Sequence, residues 1–235
     1  MTRSPWAREY GRSPHEYIWG TEPSAFARQL AALLPPGARV LDLGCGEGRD
    51  SVFFAVHGFD VSGVEISAAG LRKAERLAKE RGVNVLWVHG NMARLSLDGP
   101  FDLVYSCGAI HYVPRGERAR LFPWLQALTR PGGYHGFIVF TDHVIHAEKG
   151  EIIDYFAPQE LSRAYPGWSI LRAARDEFAC SRDGVPHRHS VEEFLARRQA
   201  RGALTGSAAR LENETVPART LKLEEAFDHG SNETR

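Results

Sequence analysis

Cysteine is scarce in this 235-residue chain: Cys45, Cys107 and Cys180 are the only three, and none is spaced as a CxxC pair. So odd and sparse a set excludes a disulfide framework and fits free thiols in a reducing compartment. An excess of charge is also lacking, with 29 Lys+Arg against 29 Asp+Glu. Nothing in that balance attracts a polyanion, so no nucleic-acid partner is expected. No stretch reaches the ~20 apolar residues of a membrane span. The opening MTRSPWAREYGRSPHEY has no apolar run of the kind a secretory leader needs. The expectation is a cytoplasmic protein without a membrane partner, a monomer or homodimer. What the chain does have is 43% hydrophobic residues, enough to build the core of one α/β domain.

The order of elements is legible. Residues 1–23, rich in aromatics, Pro and Gly, read as an irregular arm or lid. Ser24 suits the N-cap of a helix over AFARQLAALL, ended by Pro35-Pro36-Gly37. Strand-like runs follow at Arg39–Leu43, Phe59–Glu65, Val83–His89, Phe101–Ser106 and Tyr134–Thr141. Helical stretches separate them: a glycine loop leading to His57, then Ala68–Arg81 behind the N-cap Ser67, and Gly116–Leu128 with a kink expected at Pro123. Such alternation predicts right-handed crossovers and a doubly wound, mostly parallel sheet. A short helix is expected near Pro158–Tyr165. Two further runs, Trp168–Cys180 and His187–Arg197, are joined across Asp183-Gly184 as an antiparallel hairpin closing the same sheet. The domain is placed at residues 24–198. The polar stretch 199–235 is expected to be disordered.

The loop after the first strand carries the chemistry. Ligands of open parallel sheets bind beyond the carboxyl ends of strands. Gly44, Gly46 and Gly48, with Cys45 between them, allow positive φ and close backbone approach there. The spacing is GxGxG, and Arg49 stands where a dinucleotide fold wants its third glycine. Asp42 would repel a pyrophosphate but could hold a cationic amino-acid moiety. Glu65, with Ile66 beside it, lies about twenty residues past Gly44, the distance at which a carboxylate grips a ribose diol. Asn91 and Met92 follow the third strand, where an amide and an apolar face could sandwich an adenine.

Val40-Leu41-Asp42-Leu43-Gly44-Cys45-Gly46-Glu47-Gly48-Arg49-Asp50 resembles the first motif of class I S-adenosylmethionine-dependent methyltransferases. Glu65 matches that family's ribose-binding acid, and Asn91 stands where the family usually has Asp. Phe101-Asp102-Leu103-Val104 and Leu128-Thr129-Arg130-Pro131-Gly132-Gly133 resemble its fourth strand and the turn before its fifth. The resemblance covers roughly residues 38–141. It implies a seven-stranded Rossmann-like sheet and S-adenosylmethionine as cofactor. A narrower likeness lies in Tyr17-Ile18-Trp19-Gly20-Thr21-Glu22-Pro23 and Pro186-His187-Arg188-His189-Ser190-Val191-Glu192-Glu193-Phe194. These segments are similar to bacterial tellurite-resistance or thiopurine S-methyltransferase-like enzymes, a group that methylates soft nucleophiles. That group's tellurite enzymes carry a functional His-Arg in this hairpin, where this chain has Cys180-Ser181.

Beyond the cofactor, Cys107 and His111-Tyr112 end the fourth strand, where an acceptor would meet the methyl group; the two rings either act on the acceptor or wall the pocket. His187 and Arg188 open the last strand, with Arg188 facing opposite to His187 and His189 by alternation. Asp142, His143 and His146 read as a polar loop, and no metal site is expected. The function so implied is methyl transfer to a small-molecule acceptor, a thiol or chalcogen oxyanion. The alternatives are an O- or N-methyltransferase using His111 or His187 as base, a non-catalytic cofactor-binding protein, or a nicotinamide oxidoreductase.

Overall fold

Val40, Leu41 and Leu43 are wholly buried, and they set the position of the first strand, β1 (Arg39–Leu43), in the middle of the sheet. A computed structural model describes residues 5–144, 153–180 and 186–200. Around β1 stand β2 (Asp60–Glu65), β3 (Leu86–His89), β4 (Phe101–Cys107) and β5 (Thr129–Phe140). The sheet is completed by β6 (Trp168–Cys180) and β7 (His187–Arg198), in the order β3-β2-β1-β4-β5-β7-β6. β1 to β5 pair in parallel, while β7 runs antiparallel to both β5 and β6. This is the seven-stranded sheet with a closing hairpin that the sequence implied. The turn at Asp183-Gly184 lies outside the described residues.

The helices are α1 (Pro5–Arg12), α2 (Ala25–Ala31), α3 (Arg49–Val56), α4 (Ala68–Glu80), α5 (Arg115–Ala127) and α6 (Glu160–Ala164). Ser24 and Ser67 cap α2 and α4 as expected, their side chains accepting from Ala27 N–H and Gly70 N–H. Pro123 is accommodated inside α5. Two apolar clusters fill the space on the two sides of the sheet. One is built on Leu41, Leu43, Phe137 and Phe194 with α5 and α6. The other is built on Val40, Tyr105, Ile138 and Leu195 with Phe26 and Phe54.

Three boundaries depart from the sequence reading. The arm is not irregular throughout, because α1 forms where Trp6 and Tyr10, one turn apart, both meet the domain, Trp6 at Tyr112 and Tyr10 beneath Lys73 and against Gly46. β3 begins at Leu86 rather than Val83, since Val83 packs with Leu77 and Ala78 under α4. β5 begins five residues early, its first residue Thr129 paired with Phe101 before a register shift. β6 is the outermost strand on the hairpin side, and most of its thirteen residues are exposed. Among the described residues no helix is long and apolar enough to cross a membrane.

Candidate active site

The carboxyl ends of β1, β2 and β4 converge on the glycine loop. Gly44, Gly46 and Gly48 all take positive φ, at 74°, 57° and 85°. The loop hangs on β2, with the N–H groups of Gly44 and Cys45 both donating to Val64 O at 2.8 and 3.0 Å. A β-carbon built on Gly44 would fall 2.2 Å from Ala109 Cβ and 3.1 Å from Met92 Cε. One built on Gly48 would fall 2.6 Å from Ala74 Cβ. The loop is thus pressed between α4, Met92 and the turn after β4, and each glycine stands where any side chain would collide.

Glu65 ties the loop to its strand. Its Oε2 accepts from Gly46 N–H at 3.1 Å and its Oε1 from Ser67 N–H at 2.8 Å. Burial raises the Glu65 carboxyl above its usual range, while the Ser67 and Gly46 N–H groups pull it back. Ile66 O lies 3.0 Å from His89 Nε2. Asn91 turns inward on its own backbone, its Oδ1 accepting from Ala93 N–H at 2.9 Å. The Cys45 and Cys107 thiols are both pushed up by burial, Cys107 to about 12. Neither is a thiolate at neutral pH.

Asp42 sits beneath the loop, 2% exposed, accepting from Ser51 Oγ at 2.5 Å. Burial raises its carboxyl from the ordinary range to about 8, against the pull of the Ser51 hydroxyl. Between these limits the unfolded chain is ionised while the folded one keeps the proton. The folded state then binds more protons, so stability falls as pH rises from about 4 to about 8. Asp42→Asn is expected to remove this slope, by up to about 1.4 kcal/mol per pH unit. Chemical denaturation of both proteins across that window measures it. Parallel pH curves would show that the carboxylate is ionised in the fold.

The arm covers the loop. Tyr10 is buried, its hydroxyl oxygen 2.8 Å from where a Gly46 β-carbon would lie. Trp19 Nε1 donates to Tyr10 Oη at 3.2 Å, and Trp6 Nε1 donates to Tyr112 Oη at 2.6 Å. The indoles of Trp6 and Trp19 stand 4.9 Å apart. The anchor is a pair that sequence reading missed. Lys73 Nζ donates to Glu47 Oε1 at 2.6 Å and to Glu16 O at 2.7 Å, while Glu47 Oε2 accepts from Trp19 N–H at 3.1 Å. The available signal was Lys73 itself, a lysine within the buried stripe Gly70-Leu71-Ala74-Leu77 of α4.

His111 and Tyr112 form a 3-10 turn (Ile110–Tyr112) after β4. His111 is wholly buried and stacks on Phe140, ring centroids 4.3 Å apart. Its Nδ1 accepts from Phe140 N–H at 3.3 Å, which leaves the ring proton on Nε2. That Nε2–H has no hydrogen-bond partner among the described residues. Burial first, then the charges of Arg118 and His189, hold the imidazole well below its usual range, so it stays neutral. Arg118, beside it, is committed to Glu160 at 2.7 Å and to the carbonyls of Val113, His111 and Asp154.

The predicted residues therefore fall into two groups. Asp42, the glycine loop, Cys45, Glu65, Met92 and the His111-Tyr112 turn are gathered at one place. His187 and Arg188 lie on the hairpin. His187 faces His189, and Phe140 bridges His189 to His111 by stacking at 4.4 Å. Arg188 bonds Glu177 at 3.1 Å, its side chain 58% exposed. His143 likewise bonds Glu177, and His146 lies outside the described residues.

Comparison with known proteins agrees with this geometry. Residues 40–133 match the family described as "Methyltransferase domain". Trans-aconitate 2-methyltransferase of Deinococcus radiodurans is 38% identical over 124 residues, 51% of this chain and 45% of that protein. The crystal structure of TehB from Haemophilus influenzae superposes with a TM-score of 0.66 at 19% identity, covering 74% of this chain and 61% of that one. 1,6-Didemethyltoxoflavin-N1-methyltransferase of Burkholderia thailandensis, solved with S-adenosylhomocysteine, gives 0.58 at 22% identity over 83% and 88%. This chain spans about half the length of the curated relatives it matches. Glycines pressed too close for a side chain, a buried acid at the end of β2 and the strand order together fit S-adenosylmethionine as the cofactor, in keeping with the match of residues 40–133 to the methyltransferase domain family.

Proposed function

We propose that this domain methylates a small, soft anionic nucleophile, a thiolate or chalcogen oxyanion. The observation that carries this reading is the state of His111. Its Nδ1 is occupied by Phe140 N–H and its Nε2 keeps the proton, so the ring is a hydrogen-bond donor and not a base. A hydroxyl or amine acceptor needs a base to take its proton, whereas an anion needs none. The Nε2–H would hold such an anion in place.

Bound S-adenosylmethionine supplies a methyl carbon on a sulfonium, open to in-line displacement. The chain's own residues do the rest. In this reading Gly44, Cys45, Gly46 and Gly48 form the backbone cradle, Glu65 takes the ribose hydroxyls, and Asn91, Met92 and Ile66 frame the adenine. Asp42 supports the cradle from below. The 1–23 arm acts as a lid whose indoles and Tyr112 exclude water, and alignment under it supplies about 7–11 kcal/mol of the barrier.

A carboxylate acceptor is the competing reading, favoured by the similarity to trans-aconitate 2-methyltransferase. It asks for a cationic clamp, and Arg118 is already committed. The aromatic wall suits polarizable sulfur better. The test is formation of S-adenosylhomocysteine from a panel of thiols, chalcogen oxyanions, carboxylates and amines. Thiols or chalcogen oxyanions are expected to exceed carboxylates in kcat/KM by at least about tenfold, or ~1.4 kcal/mol. With thiols, the rate is expected to follow the acceptor's own ionisation. Preference for a tricarboxylate would overturn the proposal.

A further inference from the structure

The hairpin brings together three side chains that neither the fold nor the proposed methyl transfer requires. In the β6–β7 register Cys180 lies opposite His187 and Phe178 opposite His189. Opposed residues, and residues two apart on one strand, share a face of the sheet, so Cys180, His187 and His189 point the same way. One ligand atom from each lies within 4.8 Å of the other two. The two imidazole Nε2 atoms are 2.8 Å apart, with the rings nearly perpendicular at 87°. Cys180 is a free thiol, half-buried like His187, while His189 is 97% covered at 3% exposure. His189 is held between Phe140 and Phe178, at 4.4 and 5.2 Å.

Two imidazole nitrogens that face each other, with a sulfur beside them, make a donor set of borderline softness. Without a cation the two Nε2 atoms share one proton. A tetrahedral zinc, with Zn–N near 2.0–2.1 Å and Zn–S near 2.3 Å, sets its nitrogens about 3.3 Å apart and sulfur about 3.6 Å from each. The nitrogens would part by about half an ångström and the sulfur would close by at most about 1.2 Å. The ligands stand on paired strands, which keep them near that geometry.

We propose that Cys180, His187 and His189 form a three-ligand site for a thiophilic divalent cation, zinc, with the fourth position left to solvent. On binding, the Cys180 thiol gives its proton to water and a Zn–S bond forms. The proton shared between the two Nε2 atoms passes through solvent to Nδ1 of the ring that carried it, so each ring keeps one proton and both Nε2 lone pairs face the metal. No electron is transferred. The proposal stands apart from methyl transfer, and either can fail without the other.

The test uses the full chain, stripped of metal with a chelator and titrated with cobalt(II) as the spectroscopic probe. The expected result is one cobalt per chain with the intense visible bands of a tetrahedral site, a thiolate-to-cobalt charge-transfer band, and displacement of both by zinc. Cys180→Ser is expected to lose the charge-transfer band, and His187→Gln to weaken binding at least tenfold. Both variants should keep the wild-type near-ultraviolet dichroism, and whichever does so is sufficient for the comparison. Cobalt that does not bind saturably, binds without a thiolate band, or keeps its band in Cys180→Ser would overturn the site. X-ray absorption on the zinc form is expected to show one sulfur and two imidazole nitrogens.

Discussion

Gly44→Ala is expected to raise the dissociation constant for S-adenosylmethionine at least about 100-fold. Two costs act at once. An alanine at φ 74° adopts a left-handed conformation that non-glycine residues pay about 1–3 kcal/mol to hold. Its β-carbon would also stand 2.2 Å from Ala109 Cβ, well inside contact. The neighbour is the turn that leads from β4 to His111, so the loop and that turn must separate. A 100-fold rise in the dissociation constant corresponds to about 2.7 kcal/mol, the scale of the strain and the separation together. The control is Gly58→Ala. Gly58 has a comparable φ of 81°, but nothing lies within 4 Å of an added β-carbon. That variant is expected to lose some stability and leave cofactor affinity unchanged. Isothermal titration of both proteins measures the difference. Equal effects on affinity would mean that backbone strain, and not the fit against Ala109, controls the loop.

Lys73→Met is expected to destabilise the protein by about 3–5 kcal/mol, the usual cost of leaving one charge of a buried pair unmatched. The side chains of Lys73 and Glu47 are only 2% and 1% exposed. Without the ammonium, the Glu47 carboxylate retains the Trp19 N–H and little else, and Glu16 O loses its donor. For a chain of this size the loss corresponds to a fall in melting temperature of roughly 6–20 °C. Adding Glu47→Gln to the same protein should return much of it, because the stranded charge is then gone. Thermal unfolding of the single and double variants gives the comparison. A loss below about 1 kcal/mol in the single variant would mean that water reaches the pair.

What was legible in the sequence follows the range over which each signal acts. β1, its loop and α3 form one continuous stretch whose residues answer to local rules, so the glycine cradle, the Ser67 cap and the acid at the end of β2 were readable. The mostly parallel, doubly wound character of the sheet followed from alternation, whereas the order of its strands came from the structure. α1 was not readable, since its only apolar anchors, Trp6 and Tyr10, are meaningful once Tyr112 and Gly46 are known to lie against them. Lys73–Glu47 and Cys180–His187–His189 are contacts between elements, set by packing and strand register. The residues Asp142, His143 and His146 read as a polar loop with no metal site, and no local signal could show that the hairpin register gathers Cys180, His187 and His189. His111 was readable as a position but not as a chemical state, because its tautomer is fixed by Phe140 N–H on another strand.

The two borders of the sheet differ in a way that bears on how the molecule behaves when crowded. A border strand offers unsatisfied backbone groups to any other chain and can seed polymerisation. At one border β3 is four residues long, too short to recruit much. At the other, β6 runs for thirteen residues and carries exposed Ile170 and Leu171. Its protection is a register break between Ile170 and Arg172, followed by Arg172, Arg175, Asp176 and Glu177 in close succession. Three of these charges are held by partners on β7: Arg172 by Glu193, Arg175 by Glu192, and Glu177 by Arg188. A foreign strand docking there would have to bury those charges against its own backbone. The same residues that fasten the hairpin thereby keep its outer rim from serving as a template.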